Sequence, residues 1–347
     1  MKGNIVTELL QAIKRLSLDL KGKTVLTEGA TGHYAVTPVL AALAGAQVYA
    51  FAKDSSYGSV QDVKNQVEAL GSLFDDVNER IEVITSLEPT NIGSADIITC
   101  SGHLRPLDFD KLQHAKYSMV VPLMFEKWEY RAQDLDLDYC KRKDIPVGGT
   151  NERHSDVGVF EYLGAMAEKL MADAEVSLQG NKFILICNND FGRFIAKYLV
   201  GKCAGLAVCS SSTEKEAYLK LGADWIGDFP EFDIPEAYKD AEGVIFTAYP
   251  FTEKWIGPKD IISISKLKEQ LSNPKIFRFA GDVDEQYCLA HQTLLYPANV
   301  KSGHMGVLPS AVGIEPIIRL QSGGLKVGEL MLRRETSHNN EELVQYL

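Results

Sequence analysis

The stretch Asn181-Lys182-Phe183-Ile184-Leu185-Ile186-Cys187-Asn188-Asn189-Asp190-Phe191-Gly192-Arg193 decides how this chain is read. Asn181–Cys187 is an apolar run of strand length, consistent with a strand covered on both faces. A polar turn, Asn188–Gly192, follows, and Arg193–Val200 continues with helical spacing. Strand, tight turn and helix in that order form one unit of a parallel α/β sheet.

The same alternation extends in both directions. Downstream, Leu206–Cys209, Gly243–Thr247 and Lys275–Phe279 read as strands; upstream, Asn151–Asp156 leads into a helical stretch ending near Ala174. Nearer the start, Lys23–Thr27, Gln47–Phe51, Ile81–Thr85, Asp96–Thr99 and Tyr117–Pro122 read as buried strands, with helices around Thr37–Leu43 and Val60–Leu73. The first twenty residues form an amphipathic helix, and the tail holds a helical segment, Pro309–Gln321, that returns to the first unit. The expected fold is α/β, two Rossmann-like doubly wound parallel-sheet domains joined by two crossover segments around a cleft. Residues 1–150 plus 305–347 would form the first, substrate domain, and residues 151–304 the second, dinucleotide-binding domain.

Composition narrows the partners. A chain of 347 residues with 45% apolar content can bury two cores. A net charge of -11 argues against a phosphate-backbone partner, so no nucleic acid is expected and a small molecule fits better. The six cysteines contain no CxxC pair and no zinc spacing, so no metal is expected, and free thiols suit a reducing cytoplasm. No apolar run reaches the roughly 18 residues of a membrane span. A cytoplasmic homodimer with no membrane partner is the expected state.

Two turns are candidate phosphate loops, because glycines there let backbone N–H groups and a helix N-terminus approach an anion. In the second unit, Gly192 takes the third glycine position of G-x-G-x-x-G, while Cys187 and Asn189 take the first two. Asn188, Asn189, Asp190, Phe191, Gly192 and Arg193 are the candidate pyrophosphate residues, with a plain structural turn as the alternative. The next strand ends in Ser210-Ser211-Ser212 where an acidic ribose ligand is usual; the serines, with Lys215, suit a 2′-phosphate or leave the pocket empty, so NAD and NADP both stay open. Thr247 and Tyr249 would line a nicotinamide pocket or merely end a strand. In the first unit, Gly29-Ala30-Thr31-Gly32-His33 has G-x-x-G spacing but no acidic residue ending the following strand, so Gly29, Thr31, Gly32 and His33 read as a substrate loop or a tight turn.

The order of the parts resembles the superfamily of D-2-hydroxyacid dehydrogenases and S-adenosylhomocysteine hydrolases. The resemblance is carried by Gln47–Lys53, by Ile145-Pro146-Val147 through Asn151-Glu152, and by Pro297–His304. It implies that His304 is the acid/base that exchanges a proton with the substrate oxygen as hydride moves to or from nicotinamide. Arg278–Glu285 resembles the dehydrogenase stretch bearing the substrate-binding arginine, but Ala280 holds that position; Arg278, two residues earlier, shares its strand face. The dehydrogenase glutamate has no counterpart in Tyr287–Ala298, and the hydrolase lysine and aspartate are unmatched in Asn151–Glu161.

Further candidates come from the residues themselves. His304 lies among Gly303, Gly306 and Pro309, and imidazole is the usual acid/base near neutrality. His103 and Arg105 follow a buried strand at the edge where open sheets bind ligands; they would serve as a second acid/base and an anion clamp, or as a solvated loop. Glu126 in Phe125–Arg131 is a catalytic candidate whose alternative is a surface ion pair. Asn151, Glu152 and His154 are candidate substrate ligands, helix capping by Asn151 being the alternative. Together these point to an NAD(P)-dependent oxidoreductase of a small polar hydroxy or oxo acid. The alternatives are a hydrolase or lyase with tightly bound NAD, and a non-catalytic binding or scaffold protein with a degenerate cofactor site.

Overall fold

The computed structural model describes residues 2–259, 261–272, 274–334 and 342–347. The chain divides into two compact units, Met1–Val159 with Gly313–Leu347, and Phe160–Val312.

The first unit opens with α1 (Lys2–Leu16), which buries Leu9, Ala12 and Leu16 along one stripe, as an amphipathic surface helix does. Then follow β1 (Thr24–Glu28), α2 (Val36–Leu43), β2 (Gln47–Phe51), α3 (Val60–Gly71), β3 (Ile81–Ile84), α4 (Pro89–Ser94) and β4 (Ile97–Ile98). After these come α5 (Phe109–Leu112), β5 (Val121–Pro122), α6 (Leu137–Arg142) and β6 (Val147–Thr150). α2 is apolar almost all round and correspondingly buried. α3 starts at a capping box in which Ser59 and Asp62 satisfy each other's backbone N–H groups.

The strands pair in parallel in the order β3-β2-β1-β4, and β5 pairs with β6. The two sheets meet through a parallel Ile97–Val120 bridge and the Cys100 N–H to Pro122 O bond of 2.9 Å. Neighbours along a strand feed opposite cores. Val25, Ile97 and Val120 join one apolar cluster, while Leu26, Ile98 and Val121 join another, so both faces of the sheet are covered.

The second unit contains α7 (Leu163–Asp173), β7 (Lys182–Cys187), α8 (Phe191–Leu199), β8 (Gly205–Ser210), α9 (Lys215–Leu221), β9 (Asp224–Asp228) and β10 (Gly243–Thr247). It continues with β11 (Lys254–Ile256), α10 (Ile264–Gln270), β12 (Lys275–Ala280), β13 (Asp282–Val283), α11 (Glu285–Ala290) and β14 (Leu294–Tyr296). Its main sheet is parallel throughout, in the order β9-β8-β7-β10-β12-β14. Counted within the unit, this is 3-2-1-4-5-6, the doubly wound dinucleotide-fold order, and it reverses between β7 and β10.

The chain then returns to the first unit as α12 (Glu315–Arg333) and β15 (Val344–Tyr346). α12 reaches twelve residues past the expected Gln321, and it packs on α1, α2 and β6. β15 runs antiparallel to β6 and closes that edge.

Strands β6, β9, β14 and β15 escape the sequence pattern. β6 is Val-Gly-Gly-Thr, whose glycines have low strand preference, yet Gly149 admits the backbone of Lys127, which would lie 2.5 Å from an added Cβ. β9 carries aspartates at both ends of an edge strand, and β14 and β15 are three residues long.

Candidate functional site

In open α/β sheets ligands bind beyond the carboxyl ends of the strands, where the order reverses. Each unit has such an edge.

In the second unit the edge lies beside the β7–α8 turn. Gly192 is required for close packing: an added Cβ would sit 2.3 Å from Cys187 Sγ and 2.4 Å from Tyr218 Oη. Burial pushes the Cys187 thiol up to about 11, so it stays protonated and packs as an apolar group. The Phe191 ring turns inward and meets Phe160, Phe251 and Phe279 edge to face. Asn188 is stitched to the segment after β10, donating from Nδ2 to Tyr249 O (2.9 Å) and accepting from Tyr249 N–H (2.7 Å). Asn189 donates to Thr247 Oγ1 (3.2 Å), and its Oδ1 accepts from Phe191 N–H (3.2 Å). The side-chain amide at the second glycine position therefore covers one of the N–H groups that an anion would use.

At the far side of this edge, Arg193 pairs with Glu214 at 3.1 Å, and Asp228 Oδ1 accepts from Ser212 N–H at 2.8 Å. Ser210 is buried, and Ser211 Oγ lies 2.9 Å from Thr213 Oγ1. The residues fit a dinucleotide at its ribose end, where two carboxylates flank the serines. At the pyrophosphate end they fit once the Asn189 amide swings off Phe191 N–H. Glu214 and Asp228 escape a sequence-based search, because neither ends a strand at the residue where the ribose acceptor normally stands.

His304 is exposed on the loop after β14, with its N–H bonded to Lys301 O at 3.1 Å. Arg278 holds that loop from beneath. Its guanidinium donates to Gly281 O (2.9 Å), Asp282 Oδ1 (2.6 Å) and Val300 O (3.3 Å), while Asp282 also accepts from Gly303 N–H (3.1 Å). At 1% exposure, with these nitrogens engaged, Arg278 is a clasp for the loop and does not present an anion-binding face.

In the first unit, Gly29 N–H donates to Phe51 O (2.8 Å), Thr31 Oγ1 to Tyr57 O (2.9 Å) and Gly32 N–H to Gln66 Oε1 (2.7 Å). This turn is tied down by its own unit, and His33 sits half-buried beside it. At the β1–β4 reversal, Glu28 ends β1 and reaches across to the loop after β4. Its Oε1 accepts from His103 N–H (3.1 Å) and lies 4.0 Å from His103 Nε2. Gly102 makes this possible, since an added Cβ would fall 1.7 Å from the Glu28 carboxylate. Arg105 and Arg131 both grip Asp134, at 3.1 and 2.9 Å.

Beyond β5 and β6 the edge becomes a carboxylate cluster. Glu126 is fully buried and fully coordinated: Arg153 Nη1 donates to both oxygens (2.6 and 2.5 Å), and Trp128 Nε1 (2.5 Å) and Glu152 N–H (3.1 Å) also donate. It is a structural anchor with no lone pair aimed at a reactant. Glu129 Oε1 accepts from Glu126 N–H at 3.2 Å, and burial, then the Glu126 charge, push its carboxyl up to about 7. Glu152 is 8% exposed and is held well above the carboxylate range by burial, then by Glu129 and Glu126. Tyr34 faces the same charges: burial, followed by Glu152, Glu28 and Glu129, pushes its hydroxyl up to about 12. Burial likewise raises Glu28, against the pull of His103 and Arg105.

Asn151 and His154 flank the cluster in supporting roles. Asn151 Nδ2 donates to Glu342 O (2.6 Å), and His154 Nδ1 accepts from Asp156 N–H (3.2 Å). Sequence reading therefore finds Glu126 and Glu152 but gives no role of their own to Glu28, Tyr34 and Glu129. The one signal for Glu28 is a carboxylate closing the otherwise uncharged strand Thr-Val-Leu-Thr-Glu.

Among the described residues, no group of three or more His, Cys, Asp and Glu is arranged to hold a metal ion, and no helix is long and apolar enough to cross a membrane. No family model matches the chain, and no curated protein matches it. Solved structures do. A dipicolinate synthase chain from Bacillus subtilis is 13% identical with a TM-score of 0.56, over 92% of this chain and 97% of that one. Its counterpart in the dipicolinate synthase of Bacillus halodurans is 11% identical with a TM-score of 0.54, over 91% and 98%. A transhydrogenase from Sinorhizobium meliloti is 10% identical with a TM-score of 0.50, over 93% and 98%. At such identities the likeness is one of fold. The class is thus the two-unit Rossmann type of fold. It agrees with the layout that the sequence resembles.

Proposed function

We propose that this protein is an NAD-dependent oxidoreductase acting on a small polar hydroxy or oxo acid. The observation that carries the reading is the β7-turn-α8 unit at the strand reversal of a complete 3-2-1-4-5-6 sheet, with Gly192 packed against Cys187 and Tyr218. Glu214 and Asp228, beside the serines after β8, suit ribose hydroxyls and repel a 2′-phosphate, which favours NAD over NADP. A bound nicotinamide dinucleotide would supply hydride transfer. His304 is the proposed acid/base, its loop steadied by Arg278 and Asp282.

One observation favours a second reading, a Rossmann-type protein whose cofactor site is degenerate: Asn189 Oδ1 already caps Phe191 N–H. Calorimetric titration with NAD+, NADH, NADP+ and NADPH separates the two. The expected outcome is NADH binding at least tenfold tighter than NADPH, with Asn189→Gly tightening it further by uncovering that N–H. No heat from any of the four, in wild type and in Asn189→Gly alike, removes the oxidoreductase reading.

A further inference from the structure

The two edges of the second unit's main sheet are finished differently. At one edge, β9 carries Asp224 and Asp228 at its ends, and the segment that follows lies along the strand, Asp233 N–H donating to Ile226 O at 2.9 Å. Charge and a covering segment are the usual devices that keep an edge strand from pairing with another chain. At the other edge, β14 pairs with β12 on its inner side, and among the described residues its outer side makes no backbone hydrogen bond. Charge does not guard this edge either. Residues 286–300, which span most of α11, all of β14 and the turn beyond, contain no Asp, Glu, Lys or Arg, in a chain of which 24% is charged. Lys268 reaches this region from α10 but donates to His291 O at 2.5 Å. Leu289 and Leu294, at 70% and 52% exposure, flank the turn closed by Thr293 N–H donating to Cys288 O at 2.9 Å.

We propose that two copies of this chain associate through β14, edge to edge across a twofold axis normal to the sheet. Identical strands related by such an axis run antiparallel, so the outer N–H and C=O groups of each β14 pair with those of the other and the two six-stranded sheets become continuous. With three residues, β14 sets the register, while the exposed leucines supply apolar area that leaves water on contact. The charge distribution selects a second copy over a foreign protein. Each chain carries a net charge of -11, so two copies repel unless they meet where neither is charged, and an uncharged edge offers an acidic or basic partner nothing to pair with. Twofold pairing also consumes the edge, so assembly closes at two chains. The inference is independent of any cofactor.

Sedimentation velocity of the full chain over a dilution series tests it. The expected species has twice the 38.3 kDa mass of one chain. Leu294→Lys sets like charges against each other across the axis and should weaken association at least tenfold, and Leu289→Lys should act in the same direction. Leu219→Lys, at an exposed leucine on α9, should leave association unchanged. Melting curves report whether each variant is folded, and amide exchange in Leu294–Tyr296 of the wild type should quicken on dilution. A wild-type monomer throughout the series, a dimer retained by folded Leu294→Lys and Leu289→Lys alike, equal loss in Leu219→Lys, or oligomers that keep growing with concentration overturns the proposal. Exchange in β14 that ignores dilution of a dissociating dimer overturns it as well.

Discussion

At the residue scale, the informative positions are those where one side chain decides what a neighbour can do. Gly192 is such a position: a Cβ there collides with two side chains in a packed interior, where overpacking costs about 1–3 kcal/mol. Gly192→Ala should therefore lower the melting temperature by several degrees, while an alanine at exposed Gly180, where a Cβ meets nothing and only the strain of a left-handed backbone at φ +79° is added, about 1 kcal/mol, should cost less. Scanning calorimetry of the two variants makes the comparison. Glu129 and Glu152 give a second residue-scale expectation. Their carboxyls ionise near the usual value when unfolded but well above it when folded, so the folded state binds more protons between about pH 4.3 and 7. Stability from this source is complete below about 4.3 and declines as pH rises toward neutrality. In Glu129→Gln that decline should be shallower between pH 5 and 8, and a slope equal to wild type in urea melts would contradict it.

At the element scale, short segments are held by buried polar clasps. The loop carrying His304 depends on Asp282, which neutralises Arg278 and accepts from Gly303. Removing one partner of a buried ion pair typically costs about 3–5 kcal/mol, because the other charge is left without compensation. Asp282→Ala should destabilise the protein by that order and speed hydrogen exchange selectively in residues 300–306; unchanged exchange there would show that the clasp does not hold the loop. Elements are legible where a strand is an apolar run, as in Phe183–Cys187 and Gly243–Thr247. They are illegible where the strand exists because a neighbour needs its backbone close, as at Gly148-Gly149, or because an edge is charged, as at Asp224–Asp228. In such strands pairing and packing outweigh intrinsic preference.

At the scale of the whole molecule, each unit repeats one plan: a parallel sheet that reverses direction beside its first strand and gathers polar residues at its carboxyl edge. The two edges differ in charge. One carries a glycine turn with Asn189 over a helix N–H; the other carries Glu28, Glu126, Glu129 and Glu152. By itself the sequence determined the α/β class, the two-unit layout and most strands, because apolar runs and glycine turns are local signals that the hydrophobic effect reads directly. Only the tertiary structure decided that Tyr34 comes within electrostatic reach of Glu28, Glu129 and Glu152. That meeting depends on strand order, which brings segments distant along the chain to one sheet edge, and no local pattern encodes it. It also decided that Glu126 and Arg278 are spent on internal partners, since a charge's availability is set by what surrounds it.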